Sequence, residues 1–239
     1  MTNQIFAYSS DLTSGSSSWG ALENAWASSW ANSGGFDAHI AYESDLTPDD
    51  VVLHETTTRQ TPTVNPRQYE DACWERWSAW LNVCPPEGAL FADLDMLNTG
   101  GFTPADLPAT IPDSGFVVLH EGVMPTLVAA TPAGLAAFRD VCTDPAHSAF
   151  QTPCTVRGRP HFSDMEIFAR WAPGVVDLTT PRKCFFFTGV AAAKPPVVHF
   201  ANDSVARAGY PSRGAAIRAF ARGHGLTQLW GGPGTLDYV

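Results

Sequence analysis

The chain has 239 residues, 44% of them hydrophobic and 16% charged, which is enough apolar material for a sizeable core. It has no run of about 18 apolar residues that would make a membrane-spanning helix. The formal net charge of −10 argues against a broad nucleic-acid surface, which needs a basic stripe, but leaves a small anionic ligand open.

The start, Met1-Thr2-Asn3-Gln4-Ile5-Phe6, has neither the basic patch nor the apolar run of a signal peptide, so a cytoplasmic protein is expected. The run Ile5 to Ser10 reads as a first strand, followed by a Ser-, Thr- and Gly-bearing loop from Asp11 to Ser18. Trp19, Leu22, Trp26 and Trp30 then recur at helical spacing, which predicts a helix over Trp19 to Asn32 stopped by Gly34-Gly35. Asp37 to Tyr42 is expected as a second strand, completing β-α-β. A short strand is expected at Val51 to His54. The polar stretch Glu55 to Pro66, with five threonines and two prolines, is expected as a loop near the site.

Pro66 to Val83 is predicted helical, with Tyr69, Cys73, Trp77, Trp80 and Leu81 along one side and the turn Pro85 to Gly88 after it. Ala89 to Leu94 has the compact apolar character of a strand buried on both faces. Further strands are expected at Phe116 to Leu119, Thr126 to Ala130, Val175 to Leu178, Cys184 to Phe187 and Val197 to Phe200. Helices are expected at Pro132 to Val141, at Ser163 to Trp171 with Ser163 and Glu166 in a capping box, and at Arg213 to Arg222. Cys142 to Pro160 reads as a loop, and Gly231 to Gly234 as a flexible tail segment that closes over a ligand. Most of the eight tryptophans sit at core spacing and are assigned to packing. Five cysteines at wide spacings, with no C-x-x-C pair, are expected as free thiols.

Asp93 and Asp95 stand at the end of the buried strand. Two carboxylates one residue apart project to the same side if the backbone stays extended, a spacing that suits one hard cation. The plain alternative is an Asx turn ending the strand.

The stretch Tyr69 to Gly101, with its Arg-bearing helix and Leu90-Phe91-Ala92-Asp93-Leu94-Asp95, resembles the core of glycosyltransferases with the A-type nucleotide-diphospho-sugar transferase fold. The resemblance implies a single α/β domain over 1–239, built on one Rossmann-like mixed sheet flanked by helices. Residues 1–101 would form the nucleotide-binding half and 102–239 the acceptor-binding half. It implies that Asp93 and Asp95 bind Mn2+ or Mg2+ together with the diphosphate. Arg76 would face the donor sugar nucleotide, against the alternative of a solvated helix residue. Tyr8 and Ser9 would line the base and ribose. His199 would be a third metal ligand, although the G-x-K-P that follows this histidine in glycogenin-like and bacterial galactosyltransferase families is replaced by Ala201-Asn202-Asp203-Ser204. Asp164, with Glu166 second, would act as general base or hold the acceptor, against the alternative of helix-start chemistry.

The expected activity is therefore metal-dependent transfer of a sugar from a nucleotide-diphosphate sugar to a hydroxyl-bearing saccharide, protein or small molecule. A sugar nucleotidyltransferase is the second reading, disfavoured because Ser9 to Ser18 holds one Gly and no Lys or Arg. No Gly-rich phosphate loop is present elsewhere either. A binding protein without catalysis is the third. A transferase acting on nucleic-acid bases is disfavoured by the charge but kept open by a local basic patch of Arg207, Arg213, Arg218 and Arg222; those arginines more often read as a solvated helix face.

Overall fold

The computed structural model describes residues 1–10, 17–32, 35–121, 124–144, 146–150, 152–172, 180–190 and 193–239. The expected Gly34 stop, the strand Val175 to Leu178 and most of the loop from Asp11 lie outside those residues.

The first half opens with the expected β-α-β, β1 (Gln4–Ser9), α1 (Ser17–Asn32) and β2 (Asp37–Tyr42), and continues with α2 (Pro48–Gln60), α3 (Arg67–Val83), β3 (Ala89–Ala92) and β4 (Met96–Asn98). The second half continues with β5 (Phe116–Val118), β6 (Leu127–Ala130), α4 (Pro132–Cys142), β7 (Cys154–Val156), β8 (Arg159–His161), α5 (Asp164–Trp171), β9 (Cys184–Phe186) and β10 (Val197–His199). Three further helices close the chain, α6 (Asn202–Arg207), α7 (Arg213–Gly223) and α8 (Gly232–Leu236).

The main sheet is mixed, with strand order β2-β1-β3-β6-β5. The pairs β1–β2 and β1–β3 are parallel, while β3–β6 and β5–β6 are antiparallel. A second sheet, β4-β10-β9, and the hairpin β7-β8 stand beside it, so the expected single sheet is divided. A parallel bridge between His120 and Cys184 joins the end of β5 to β9 and sets the two larger sheets against each other.

The inner strands of the main sheet are buried on both faces, and side chains alternate between two cores, as the period of 2 along a strand requires. Ile5, Ala7, Leu90, Ala92, Val117, Leu127 and Ala129 face one core together with Leu22, Trp26 and Trp30 of α1 and Ile217 and Phe220 of α7. Phe6, Ala89, Phe91, Phe116, Val118, Val128 and Ala130 face the other, against Trp74, Trp77 and Trp80 of α3, Phe138 of α4 and Phe168 of α5. The tryptophans assigned to packing are indeed core: Trp26, Trp30, Trp74, Trp77, Trp80 and Trp230 are fully buried. At roughly 25 cal/mol per Å2 of apolar area removed from water, such rings dominate the gain from burial.

Three expectations are corrected. The strand at Val51 to His54 and the start of the loop after it are one helix, α2. Its start is set by Thr47, whose side chain accepts from the Asp50 N–H while Asp50 reaches back to the Thr47 N–H, and Pro48 sits in the first turn. That capping outweighs the modest helix propensity of the Val and Thr residues. The stretch 142–160 contains the β7-β8 hairpin rather than only loop. The Gly-rich end is not a loose tail: Trp230 is buried and donates to the Asn98 carbonyl at 2.7 Å, and α8 follows it. All five cysteines are free. Among the described residues no helix is long and apolar enough to cross a membrane.

Candidate functional site

The carboxyl end of β3 does not stay extended. The Asp93 N–H donates to the Thr126 carbonyl at 3.0 Å, and the Met96 N–H donates to the Asp93 carbonyl at 3.0 Å, closing a turn over Asp93-Leu94-Asp95-Met96. A tight turn, not the pleat, therefore brings Asp93 and Asp95 to one side, while Leu94 stays buried. β10 runs antiparallel to β4 with His199 opposite Met96, and the Phe200 N–H donates to the Asp95 carbonyl at 2.9 Å. This register places the His199 Nε2 atom 3.3 Å from Asp95 Oδ1. One potential ligand atom each from Asp93, Asp95 and His199 lies within 4.8 Å of the others.

Two arginines also reach this cluster. Arg76 of α3 pairs with Asp93 Oδ1 through one arm and with Asp164 Oδ2 through the other, and its guanidinium lies 5.3 Å from the ring centroids of both Trp77 and Trp80. It is therefore a buried ion-pair residue and not a solvated one. Arg213, read as part of a solvated face, instead turns inward at the start of α7. It pairs with Asp95 Oδ2 at 3.0 Å, and its Nε donates to the Phe200 carbonyl at 3.0 Å. Desolvation raises the Asp93 carboxyl against the pull of Arg76, and Asp95 adds to the rise. Asp95 is held below the usual carboxylate range: its burial works against this, but Arg213 and then His199 outweigh it.

Asp93 and Asp95 lie on an open cleft of about 130 Å3 lined also by Tyr8, Ser10, Trp19, Tyr69, Arg76 and Arg213 among others, while His199 stands outside its lining. Of the residues expected to contact a nucleotide, Tyr8, Arg76, Asp93 and Asp95 line it. The Tyr8 hydroxyl donates to Glu75 at 3.1 Å. Ser9 is not in the lining and is 1% exposed; its hydroxyl donates to Glu23 at 2.5 Å and accepts from Trp19 Nε1 at 3.0 Å. That side chain orients Trp19 rather than meeting a ligand. Cys73 also lines the cleft, but burial pushes its thiol well up, which leaves it a poor nucleophile.

Asp164 and Glu166 are not brought to the cleft. Asp164 is fully buried; Oδ2 accepts from Arg76 and from Trp77 Nε1 at 2.9 Å, and Oδ1 from the Met165 N–H at 2.8 Å. With both oxygens engaged it has no position from which to take a proton from an acceptor. Glu166 accepts from the Cys154 thiol at 2.6 Å. The Ser163 cap does form, through the Glu166 N–H, so helix-start chemistry accounts for this segment.

His120 was not singled out by the sequence, because it belongs to no motif and stands 79 residues from His199. The two rings nevertheless meet, with His120 Nε2 3.0 Å from His199 Nδ1. Burial, and then His199, lower the His120 pKa to about 4.

No family model matches the chain, and no curated protein matches it either.

The donor set is chemically suited to Mn2+ or Mg2+: two carboxylate oxygens, hard ligands, with one imidazole nitrogen that Mn2+ accepts alongside them. A cation would have to share the carboxylates with Arg76 and Arg213.

Proposed function

We propose that this chain is a metal-dependent glycosyltransferase of the A-type kind, moving a sugar from a nucleotide-diphosphate donor to a hydroxyl acceptor. The observation that carries the reading is the cluster of Asp93, Asp95 and His199 within 4.8 Å, whose two carboxylates line a cleft that also holds Arg213. The resemblance of the segment Tyr69 to Gly101 and the α/β architecture support it.

In this reading Asp93, Asp95 and His199 hold the cation. A bound divalent cation would offset the negative charge that develops on the departing nucleoside diphosphate. Arg213 contributes a charge-assisted donor to the diphosphate from the first turn of α7. Tyr8, Trp19 and Tyr69 offer aromatic faces to a base or sugar ring. Arg76 keeps the Asp93 carboxylate aimed at the cleft, and Asp164 holds Arg76. The proton acceptor for the incoming hydroxyl is assigned to neither Asp164 nor Glu166.

One observation favours a second reading, a binding protein without catalysis. Asp93 and Asp95 already carry arginine partners, so their charge is compensated without a cation. A panel of nucleotide sugars, each tested with and without Mn2+ by thermal shift and by donor hydrolysis, separates the two. Mn2+-dependent stabilisation and slow hydrolysis, both lost in Asp95→Ala, support the transferase. Mn2+-independent binding without hydrolysis supports the binding protein, and no binding by any nucleotide defeats both.

A further inference from the structure

His120 has no part in the reading above, lies outside the cleft lining and is fully buried where the chain leaves β5 to bridge Cys184. Its two ring nitrogens have defined neighbours. Nδ1 is 2.6 Å from the backbone carbonyl oxygen of Glu121, and Nε2 is 3.0 Å from His199 Nδ1. A carbonyl oxygen only accepts, so His120 Nδ1 carries a hydrogen. Full burial disfavours a doubly protonated ring, which leaves Nε2 as an acceptor. The hydrogen between the two histidines therefore sits on His199 Nδ1.

The consequence falls on the other side of the His199 ring. A neutral imidazole with its hydrogen on Nδ1 has its lone pair on Nε2, the atom 3.3 Å from Asp95. The opposite tautomer would put a hydrogen there, and Asp95 would accept it. The two neighbours thus select opposite tautomers, and only the one favoured by His120 leaves Nε2 able to bind a cation. Phe186 fixes the ring planes: it stacks on His199 at 5.1 Å and 23°, and meets His120 edge-on at 4.8 Å. The Phe186 backbone N–H in turn donates to Glu121 Oε1 at 2.5 Å.

We propose that His120 is a positioning residue: through the Glu121 carbonyl and His199 Nδ1 it sets the His199 tautomer that presents the Nε2 lone pair to a divalent cation shared with Asp93 and Asp95. The proposal rests on the cation reading of the cluster. A partner of this kind on the far nitrogen of a ligating histidine orients the ring and raises its basicity.

The test has two readouts, neither of them activity. The first is the long-range proton–nitrogen NMR spectrum of metal-free, 15N-histidine-labelled protein, which reads the His199 tautomer directly. The second is the Mn2+ affinity by calorimetry for wild type, His120→Phe and His120→Gln. Wild type is expected to show His199 protonated at Nδ1. His120→Phe removes the acceptor and is expected to lose that preference and to weaken Mn2+ by about 10- to 100-fold. His120→Gln keeps an acceptor oxygen and is expected to restore most of the affinity. If His120→Phe does not fold, the wild-type spectrum and His120→Gln carry the test. An unprotonated His199 Nδ1 in wild type, or Mn2+ affinity unchanged in His120→Phe, overturns this proposal alone. No Mn2+ binding by wild type overturns it together with the cation reading.

Discussion

Arg76 and Asp164, 88 residues apart in sequence, meet in a buried ion pair whose guanidinium also holds Asp93. The pair ties α3 to the start of α5 and fixes one of the two cleft carboxylates. Removing one member of a buried pair costs more than the pair contributes, because the other charge is left without a partner.

Arg76→Leu is accordingly expected to destabilise the protein by about 3–5 kcal/mol. The double variant Arg76→Leu/Asp164→Asn is expected to recover a large part of that loss, since no uncompensated charge is left at Asp164. Urea unfolding of wild type, Arg76→Leu, Asp164→Asn and the double variant, read as a double-mutant cycle, checks this. Losses that simply add would contradict a direct coupling.

Glu70 gives a pH dependence. It is fully buried, and burial pushes its carboxyl up to about 7 against hydrogen bonds from Asn65 and Thr63. A carboxyl whose folded pKa is raised favours the folded state fully below its unfolded value and loses that contribution as pH rises through the folded value. Wild type is therefore expected to lose on the order of 3 kcal/mol between about pH 4.5 and pH 8 through this group. Glu70→Gln, which keeps the acceptor for Thr63 and Asn65, is expected to flatten that decline. The check is the urea midpoint of both proteins across this range, and parallel curves would rule the assignment out.

Gly134, in the first turn of α4, packs directly on Gly115, which has φ +80° in the turn before β5. A Cβ on Gly134 would lie 2.3 Å from the Gly115 carbonyl oxygen, a backbone atom that cannot swing away. Gly134→Ala is expected to cost about 1–3 kcal/mol by overpacking, despite the better helix propensity of alanine. A melting temperature equal to or above wild type would contradict the close approach.

Arg213→Ala probes the side of the cleft assigned to the diphosphate in the proposed reading. Loss of one charge-assisted donor is expected to weaken nucleoside diphosphate binding by about 10- to 100-fold, at roughly 1.5–3 kcal/mol per such bond. Titration of a nucleoside diphosphate against the corresponding nucleoside separates the cause. An equal loss for both would place Arg213 on the base or ribose instead.

Much of the architecture was legible in the residues themselves. The 3.6-residue recurrence of Trp19, Leu22, Trp26 and Trp30 and the apolar run before Asp93 marked α1 and β3, because burial on one stripe or on both faces leaves those patterns. Helix α2 was missed because Val51, Val52 and the threonines read as strand and loop, while the Thr47-Pro48-Asp50 start that decides the matter was passed over. Asp93, Asp95 and His199 were legible as a set only through a family resemblance. What joins them physically is a turn and an antiparallel register. Arg213 was legible only as part of a basic helix face and His120 carried no signal, since an arginine opening a helix and a histidine just past a short strand look ordinary until distant segments meet. Asp164 was found for the wrong reason: its position matters through Arg76, not through exposure to an acceptor.

The central claim is that Asp93, Asp95 and His199 hold a cation that carries a nucleoside diphosphate. Calorimetric titration of a nucleoside diphosphate into wild type and Asp95→Asn, each with and without Mn2+, tests it most directly. The account predicts binding by wild type that requires Mn2+ and is lost in Asp95→Asn while the fold, read by circular dichroism, is retained. Binding of equal affinity in Asp95→Asn, or in wild type without any divalent cation, would contradict it.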